Sequence, residues 1–202
     1  MTEMIAEFQD GRDALIRQLQ AYRPVNEQEA CDCSEILRLL KTVPDLFQRT
    51  NLTCHMTASA WIVNREHTRV LMAYHNIYHS WSWLGGHADG ETDLLRVAVR
   101  EAQEESGIRN IRPVDGGIFS VEILTVDGHE KRGAYVPSHL HLNITYLLEA
   151  DDTEQTHMKP DENSAVDWFT PEGAVEASTE PWFQERIYKK LNHRLQKLES
   201  GT

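Results

Sequence analysis

Three closely spaced glutamates near the middle of the chain are the residues best suited to chemistry. Glu101, Glu104 and Glu105 stand at positions i, i+3 and i+4, so on a helix their carboxylates would converge on one face. Like charges at that spacing destabilise a helix, and the negative end of the helix dipole adds to the cost. Carboxylate oxygens are ligands that Mg²⁺ and Mn²⁺ prefer, which favours a divalent-metal site. A solvated acidic helix face is the alternative, and the three glutamates alone do not exclude it.

Glycines on both sides of the acidic segment strengthen the functional interpretation. Gly85 and Gly86 precede a helix that the apolar pattern predicts over residues 92–106, and Gly107 stands where a C-terminal glycine belongs. We expect Glu105 to lie off the apolar stripe, so that its replacement leaves folding intact. The residues expected in that stripe are Leu95, Ala98, Val99 and Ala102.

From Gly86 to Ile108 the sequence resembles the signature of the Nudix hydrolase family, G-x5-E-x7-R-E-U-x-E-E-x-G-U, in which U is a bulky aliphatic residue. There are two departures from this pattern. Ala102 is a small substitute for the bulky position, and Thr92 occupies the place of the first glutamate, with Glu91 one residue early. The role of Glu91 is therefore left open. The matching residues are Gly86, Arg100, Glu101, Glu104, Glu105, Gly107 and Ile108.

The resemblance implies an α/β fold, a Nudix-like α/β/α sandwich with a mixed sheet. It also implies a hydrolase that uses Mg²⁺ or Mn²⁺ to cleave the diphosphate linkage of a nucleoside diphosphate derivative (NDP-X), by attack of water at phosphorus. By the same likeness Glu101, Glu104 and Glu105 would bind the metal. Arg100 would orient these glutamates by salt bridging, and Gly86 would let the backbone approach the metal or the diphosphate. Glu104, Glu105 and Arg100 are thus also candidate catalytic residues.

A further acid outside the signature is expected to serve as the general base. Glu162 precedes a predicted strand at residues 166–169, and in the resembling family an extra glutamate often completes the metal site or accepts the proton of water. An ordinary acidic loop is the alternative interpretation.

Three histidines are candidate substrate-binding residues. His139 and His141 belong to the polar half of an alternating strand pattern over residues 138–148, together with Asn143 and Thr145. This half is expected to face a cleft, where it could contact phosphate or a base, or to face solvent as a merely wet surface. His87 directly follows the glycine pair and could reach the metal site.

The elements around the signature are predicted from hydrophobic periodicity. An N-terminal helical hairpin is expected at residues 3–22 and 27–42, as an extension (residues 1–50) to a Nudix-like domain (residues 51–202) that ends in a C-terminal helix. Because the apolar stripes of the hairpin must be covered by its own domain or by a second copy, we predict a homodimer. The remaining elements are strands at 58–63, 69–74, 81–84, 118–126, 140–149 and 166–169, a short helix from Pro171 and a helix from Pro181.

The charge and the composition of the chain disfavour some classes of binding partner. The 202 residues carry a formal net charge of -12, which disfavours general nucleic-acid binding, and no apolar run is long enough to span a membrane. A small diphosphate is the expected partner. The three cysteines favour a reducing cytoplasm over a disulfide framework. Zinc binding by Cys31, Cys33 and Cys54 with His55 is disfavoured, because Cys33 falls on an apolar helix face.

Two other functions remain open at the level of sequence. Isopentenyl diphosphate isomerase shares the fold, but it needs a catalytic cysteine in its pocket, for which Cys54 is a weak candidate. A catalytically idle binding or regulatory domain is the other alternative, although all three helix glutamates are present.

Overall fold

The structure is a computed structural model, and it describes residues 2–131, 133–159 and 163–200. Within these ranges the helices are α1 (Thr2–Ala21), α2 (Glu27–Thr42), α3 (Leu94–Ser106), α4 (Pro171–Ala177) and α5 (Lys189–Glu199). A π-helical turn, Phe183–Tyr188, leads into α5. The strands are β1 (Cys54–Val63), β2 (Val70–His75), β3 (Ser80–Ser82), β4 (Leu84–His87), β5 (Ile111–Val126), β6 (His129–Lys131), β7 (Ala134–Val136), β8 (His139–Ala150) and β9 (Asn163–Phe169).

Seven of these strands form one sheet. Its main order is β3-β2-β1-β8-β5, with β4 also pairing with β1 and β9 also pairing with β2, while β6 and β7 form a separate hairpin. Every residue of β1 is buried, as expected for a strand in the middle of a sheet that is covered on both faces. The α/β class predicted from the sequence is confirmed.

The chain divides into two compact units. The first comprises Met1–Ala58, Gly86–Val97 and Ser120–Thr145, and the second comprises Ser59–Gly85, Ala98–Phe119 and Tyr146–Thr202. No helix in the described part of the chain combines the length and the apolar character that crossing a bilayer requires.

In the first unit, the predicted N-terminal hairpin is fastened to β5 by a buried carboxylate. Glu29 of α2 is fully buried and accepts hydrogen bonds from the hydroxyls of Tyr22 (2.6 Å) and Ser120 (3.0 Å) and from the Val121 N–H (3.3 Å). A buried carboxylate needs such donors because desolvation of its charge is otherwise very costly. The apolar stripes of both helices are buried as well, through Leu15, Leu19, Cys33, Ile36 and Leu40.

In the second unit, Tyr188 of the π-helical turn holds the segment that leads into the glycine pair. Its ring stacks on Trp61 with the centroids 5.4 Å apart. Its hydroxyl lies 3.1 Å from the Ser82 hydroxyl and accepts a hydrogen bond from the Trp83 N–H at 3.4 Å. The single strand predicted at residues 81–84 is therefore wrong, since β3 ends at Ser82 and β4 begins at Leu84.

Candidate functional site

Glu91, the acid that stands one residue before the position of the first signature glutamate, lies just before the N-terminus of α3. One carboxylate oxygen of Glu91 accepts the N–H groups of Thr92 (2.9 Å) and Asp93 (3.1 Å), and Asp93 in turn accepts the N–H of Arg96 (3.1 Å). Glu91 also pairs with the Arg96 guanidinium at 3.5 Å. The helix consequently begins at Leu94, two residues later than predicted, and Glu91 is used to fix its start.

The buried face of α3 differs from the stripe expected from its sequence. Leu95 and Val99 are only partly buried, and Glu105 is 7% exposed. The expectation that Glu105 lies off the buried face is therefore wrong. The helix turns a neighbouring stripe inward, and the apolar residues of that stripe are Leu94, Val97, Ala98 and Ala102.

Glu105 is held in place by its surroundings in the second unit. Its Oε2 accepts the N–H of Gly85, at the start of the glycine pair, at 3.0 Å. Its backbone carbonyl accepts the side-chain amide of Asn163 at 3.1 Å. Both contacts fix the last turn of α3, so the carboxylate of Glu105 has a defined direction.

Arg100 links the other two glutamates. Its guanidinium lies 2.9 Å from a carboxylate oxygen of Glu101 and 3.8 Å from one of Glu104. The second oxygen of Glu104 lies 3.3 Å from the ammonium of Lys159. Two cations thus offset the repulsion between neighbouring carboxylates that the sequence implied. Lys159 was not predicted, because it belongs to a loop far from the signature in sequence.

Gly107 ends α3 as predicted. Its φ of +74° lies in the left-handed region, and its N–H donates to the carbonyl of Gln103 at 2.9 Å. A Cβ atom at this position would lie 2.8 Å from the Cβ of His157, whose own N–H donates to the Ser106 carbonyl at 2.7 Å. Glycine is therefore required for both conformation and space.

Glu162 lies outside the described residues. Its neighbour in the sequence, Asn163, is the residue that binds the Glu105 carbonyl, and Lys159, three positions before it, contacts Glu104.

In the first unit, the three predicted substrate-binding histidines lie close to a fourth histidine, His55. The ring of His55 lies 5.1 Å from that of His87, 4.8 Å from that of His139 and 5.0 Å from that of His141, centroid to centroid. His55 comes from β1, and the strand order places β1 beside β8, which carries His139 and His141. Sequence reasoning considered His55 only with the cysteines, because it could not supply this strand order.

Burial favours the neutral form of two of these imidazoles, His141 and His55. Desolvation, followed by the neighbouring rings of His87, His55 and His139, lowers the pKa of His141 from 6.5 to about 2. Desolvation likewise lowers the pKa of His55, against the opposing effect of a hydrogen bond to the backbone of Asn51.

The polar half of β8 is not a wet surface. Asn143 and Thr145 are fully buried, and both donate hydrogen bonds to the buried carboxylate of Glu122, at 3.2 and 2.9 Å. Thr57 completes this network by donating to the Asn143 amide oxygen at 2.9 Å. For Asn143 and Thr145 the expectation of a solvent-facing surface is wrong, because every residue from Leu142 to Leu148 is buried.

Cysteine chemistry is not favoured by the described residues. Cys54 is 6% exposed, and burial raises the pKa of its thiol, which opposes a role as a reactive thiolate. Cys33 packs in the apolar interior as predicted, while Cys31 is exposed.

More than half of the chain matches a known protein family. A family model, the NUDIX domain, matches residues 54–191, which is more than half of the chain. The chain belongs to the NUDIX family. The resemblance drawn from the signature is thereby confirmed, and the N-terminal hairpin lies outside the matched residues. No curated protein matches the chain.

Several solved structures are similar to the chain at low identity. A C. elegans Ap4A hydrolase in a binary complex is 17% identical, with a TM-score of 0.47 and coverage of 73% of this chain and 98% of the other. A NUDIX-family hydrolase from Clostridium perfringens is 20% identical, with a TM-score of 0.45 and coverage of 69% and 97%. The E. coli dihydroneopterin triphosphate pyrophosphohydrolase is 15% identical, with a TM-score of 0.48 and coverage of 67% and 92%.

The residues of the Nudix signature lie in β4 and α3 and at the end of α3. Its glycine lies in β4, its Arg and three Glu residues lie in the second half of α3, and its last glycine ends that helix. The side chains of Glu101, Glu104 and Glu105 offer carboxylate oxygens, which are the type of ligand that a hard divalent cation takes in proteins.

Proposed function

We propose that this Nudix protein is a divalent-metal-dependent pyrophosphohydrolase that cleaves the diphosphate linkage of a nucleoside diphosphate derivative. The observation that carries the proposal is the arrangement of Arg100 between Glu101 and Glu104, with Glu105 buried and anchored to Gly85. A solvated acidic face would not need an anchored, buried glutamate, since burial of an unpaired carboxylate is costly.

Glu101, Glu104 and Glu105 are proposed to hold Mg²⁺ or Mn²⁺. When bound, such an ion offsets the charge of the phosphate oxygens and activates water. The overall charge of -12 makes this requirement strong, because the protein surface would otherwise repel a polyanionic substrate. Arg100 is proposed as a positioning residue that keeps the carboxylates of Glu101 and Glu104 aligned.

Substrate binding is assigned to the backbone of Gly86 and to His87, His139 and His141. Gly86 follows Gly85 directly in β4, so its backbone continues the segment that is bound to Glu105. A ring N–H of histidine can donate to a phosphate oxygen, and the ring itself can contact a base.

The proposed reaction is attack of water on phosphorus. The new bond joins the water oxygen to phosphorus, the bridging P–O bond breaks, and the leaving phosphate departs as an anion. The proton of water passes to a carboxylate, for which Glu162 is the proposed base because metal-bound carboxylates are poor acceptors. Glu104 or Glu105 would take this role if Glu162 does not.

A substrate screen tests the proposal. The full chain, supplied with Mg²⁺ or Mn²⁺, is offered sugar nucleotides, dinucleoside polyphosphates, ADP-ribose, coenzyme A, NADH and nucleoside triphosphates. Cleavage of a diphosphate linkage in at least one of them supports the proposal. Conversion of isopentenyl diphosphate without phosphate release would instead indicate an isomerase, and no turnover of any compound would indicate an idle binding domain.

The division of the chain and its assembly remain predictions. We propose residues 1–50 as an extension to a catalytic domain at 51–202, and a cytoplasmic location consistent with the free thiols. The homodimer also stays a prediction, although Leu15, Leu19, Ile36 and Leu40 are at most 3% exposed and need no second copy to cover them. Light scattering that gives the mass of two chains would confirm the dimer, and the mass of one chain would contradict it.

A further inference from the structure

We propose that His55, His139 and His141 form a binding site for a transition-metal ion of the Zn²⁺ type. This site is distinct in its ligand chemistry from the carboxylates of α3. Imidazole nitrogens favour zinc, copper, nickel and iron, whereas Mg²⁺ favours carboxylate and water oxygens. The site shares His139 and His141 with the proposed substrate-binding residues, but binding of Zn²⁺ does not require hydrolysis of a diphosphate, so its test has an outcome separate from that of the proposed function.

The three histidines already bring their ring nitrogens together. One nitrogen from each residue lies within 4.8 Å of the others. The Nε2 atoms of His139 and His141 are 3.1 Å apart. Zn–N bonds of about 2.0–2.1 Å in a tetrahedral site separate neighbouring nitrogens by about 3.3 Å, so this pair already has the spacing of two ligands. Small rotations of the His55 ring would complete a three-nitrogen set.

Hydrogen bonds on the far side of two rings orient the ligand nitrogens. The Nδ1 of His55 lies 3.0 Å from the Asn51 carbonyl, and the Nδ1 of His139 lies 2.8 Å from the Pro137 carbonyl. Because a carbonyl only accepts, each Nδ1 carries a proton, which leaves Nε2 as the nitrogen of each ring that can bind a metal ion. Metal-binding histidines commonly have this arrangement, in which the second ring nitrogen donates to a backbone carbonyl.

The Nε2 of His55 gives a second, independent indication of a ligand. His55 is 4% exposed, and its Nε2 is buried without a hydrogen-bond partner in the described part of the chain. A buried polar atom without a partner carries an energetic cost and calls for an explanation. A metal ion between the three rings would coordinate this lone pair.

The fourth coordination position has a nearby candidate. The His87 ring is 5.1 Å from that of His55 and 4.9 Å from that of His141, and it is only partly buried. Either His87 or a water molecule could occupy this position, since zinc sites with three protein ligands keep one position open.

Calorimetric titration of Zn²⁺ into the metal-stripped full chain tests the site. Excess Mg²⁺ is present throughout, so that the carboxylates are occupied. We expect one equivalent of Zn²⁺ to bind, and His139→Gln and His141→Gln each to weaken binding by at least about 100-fold. His193→Gln, which changes an exposed histidine of α5, is the matched control and should bind as the unchanged protein does.

Two further measurements keep the result interpretable. The visible absorption of bound Co²⁺ should show nitrogen coordination in the unchanged protein and lose it in both cluster variants, and circular dichroism should show that these variants remain folded. Glu104→Gln should retain the Zn²⁺ site, which separates it from the carboxylates. The inference is overturned if no Zn²⁺ binds, if folded His139→Gln and His141→Gln bind it unchanged, or if Glu104→Gln abolishes binding.

Discussion

Gly85 and Glu105 are joined by a hydrogen bond of 3.0 Å from the backbone N–H of Gly85 to the carboxylate of Glu105, across twenty residues of sequence. This bond connects the strand that carries the glycine pair to the last turn of α3. Because Glu105 is 7% exposed, the bond also supplies a donor that a buried carboxylate requires. The glycine pair and the acidic segment of the Nudix signature are therefore one structural feature.

Replacement of Glu105 by glutamine tests the role of its charge while keeping its hydrogen bond to the Gly85 N–H. Glu105→Gln keeps an oxygen that can accept the Gly85 N–H, so we expect the protein to remain folded. The loss of charge should lower kcat by at least about 100-fold, the size of effect seen when a major charge-stabilising group is removed. Steady-state kinetics and thermal unfolding measure the two effects.

Two variants serve as controls for Glu105. Glu105→Ala removes the acceptor as well and should reduce the free energy of unfolding by about 1–3 kcal/mol. Glu176→Gln, at an exposed position of α4, should change neither kcat nor the unfolding temperature. Full activity of Glu105→Gln would remove this residue from the catalytic set, and unfolding of that variant at ambient temperature would make it structural.

Lys159 should compete with the metal for Glu104. Its ammonium lies 3.3 Å from a Glu104 oxygen, and the pair is partly exposed, so its contribution is modest. Lys159→Met should therefore lower the Mg²⁺ concentration needed for half-maximal activity by about two- to five-fold. Lys189→Met, which breaks a comparable contact with Glu185, is the control and should leave the Mg²⁺ requirement unchanged. An increased requirement in Lys159→Met would argue against Glu104 as a ligand.

Glu162 should act on the transition state more than on binding. Glu162→Gln is expected to lower kcat strongly while leaving KM within a few-fold, as for a group whose role is proton transfer. The affinity for Mg²⁺ should change little, unlike in Glu105→Gln. Asp161→Asn changes the adjacent acid and is the matched control. An unchanged kcat in Glu162→Gln would assign the base to a helix glutamate such as Glu104.

Tyr188 should make the fold sensitive to alkali. Burial raises the pKa of its hydroxyl above the ordinary value of 10.0, and the nearby Glu180 adds to the effect. In the unfolded chain the hydroxyl loses its proton near pH 10, whereas in the folded chain it keeps it. The unfolded state then binds fewer protons, so stability is complete below pH 10 and falls as the pH rises further.

Denaturant unfolding at a series of pH values measures this effect. Tyr188→Phe should cost about 1 kcal/mol at pH 7, through loss of the contacts with Ser82 and Trp83, and it should flatten the decline above pH 10. Tyr135→Phe, at a position 71% exposed, should leave the curve as it is. An identical decline in Tyr188→Phe would assign the alkaline transition to another group.

Helices were predicted more accurately than the contacts of their side chains. The sequence placed α2 at residues 27–42, where the structure has it, because Asn26 is a local capping signal. It placed α3 two residues too early, because apolar periodicity does not reveal that Glu91 accepts the N–H groups of Thr92 and Asp93 before the helix begins. The burial of Glu105 depends on tertiary packing and could not be obtained from helical spacing.

Most features of the candidate site that the sequence did not predict depend on how the strands pair. The strand β1 begins at Cys54 rather than at residue 58, because its first residues include polar side chains that are nevertheless buried. The pairing of β1 with β8 brings His55 to His139, and no local pattern in one sequence contains that information. When a histidine alternates with apolar residues, the pattern predicts the face of its own strand on which it lies, but not the residues of other strands that it contacts.

Hydrolysis in water enriched in ¹⁸O is the most direct test of the central claim, that α3 carboxylates support metal-dependent attack of water on a diphosphate. A substrate found by the screen is incubated with the full chain, and the products are analysed by mass spectrometry with Mg²⁺, with chelator, and with Mg²⁺ restored. We predict that ¹⁸O enters a phosphate product, that chelation stops the reaction, and that Mg²⁺ restores it. Cleavage that persists after exhaustive chelation, or products without ¹⁸O in phosphate, would contradict the account.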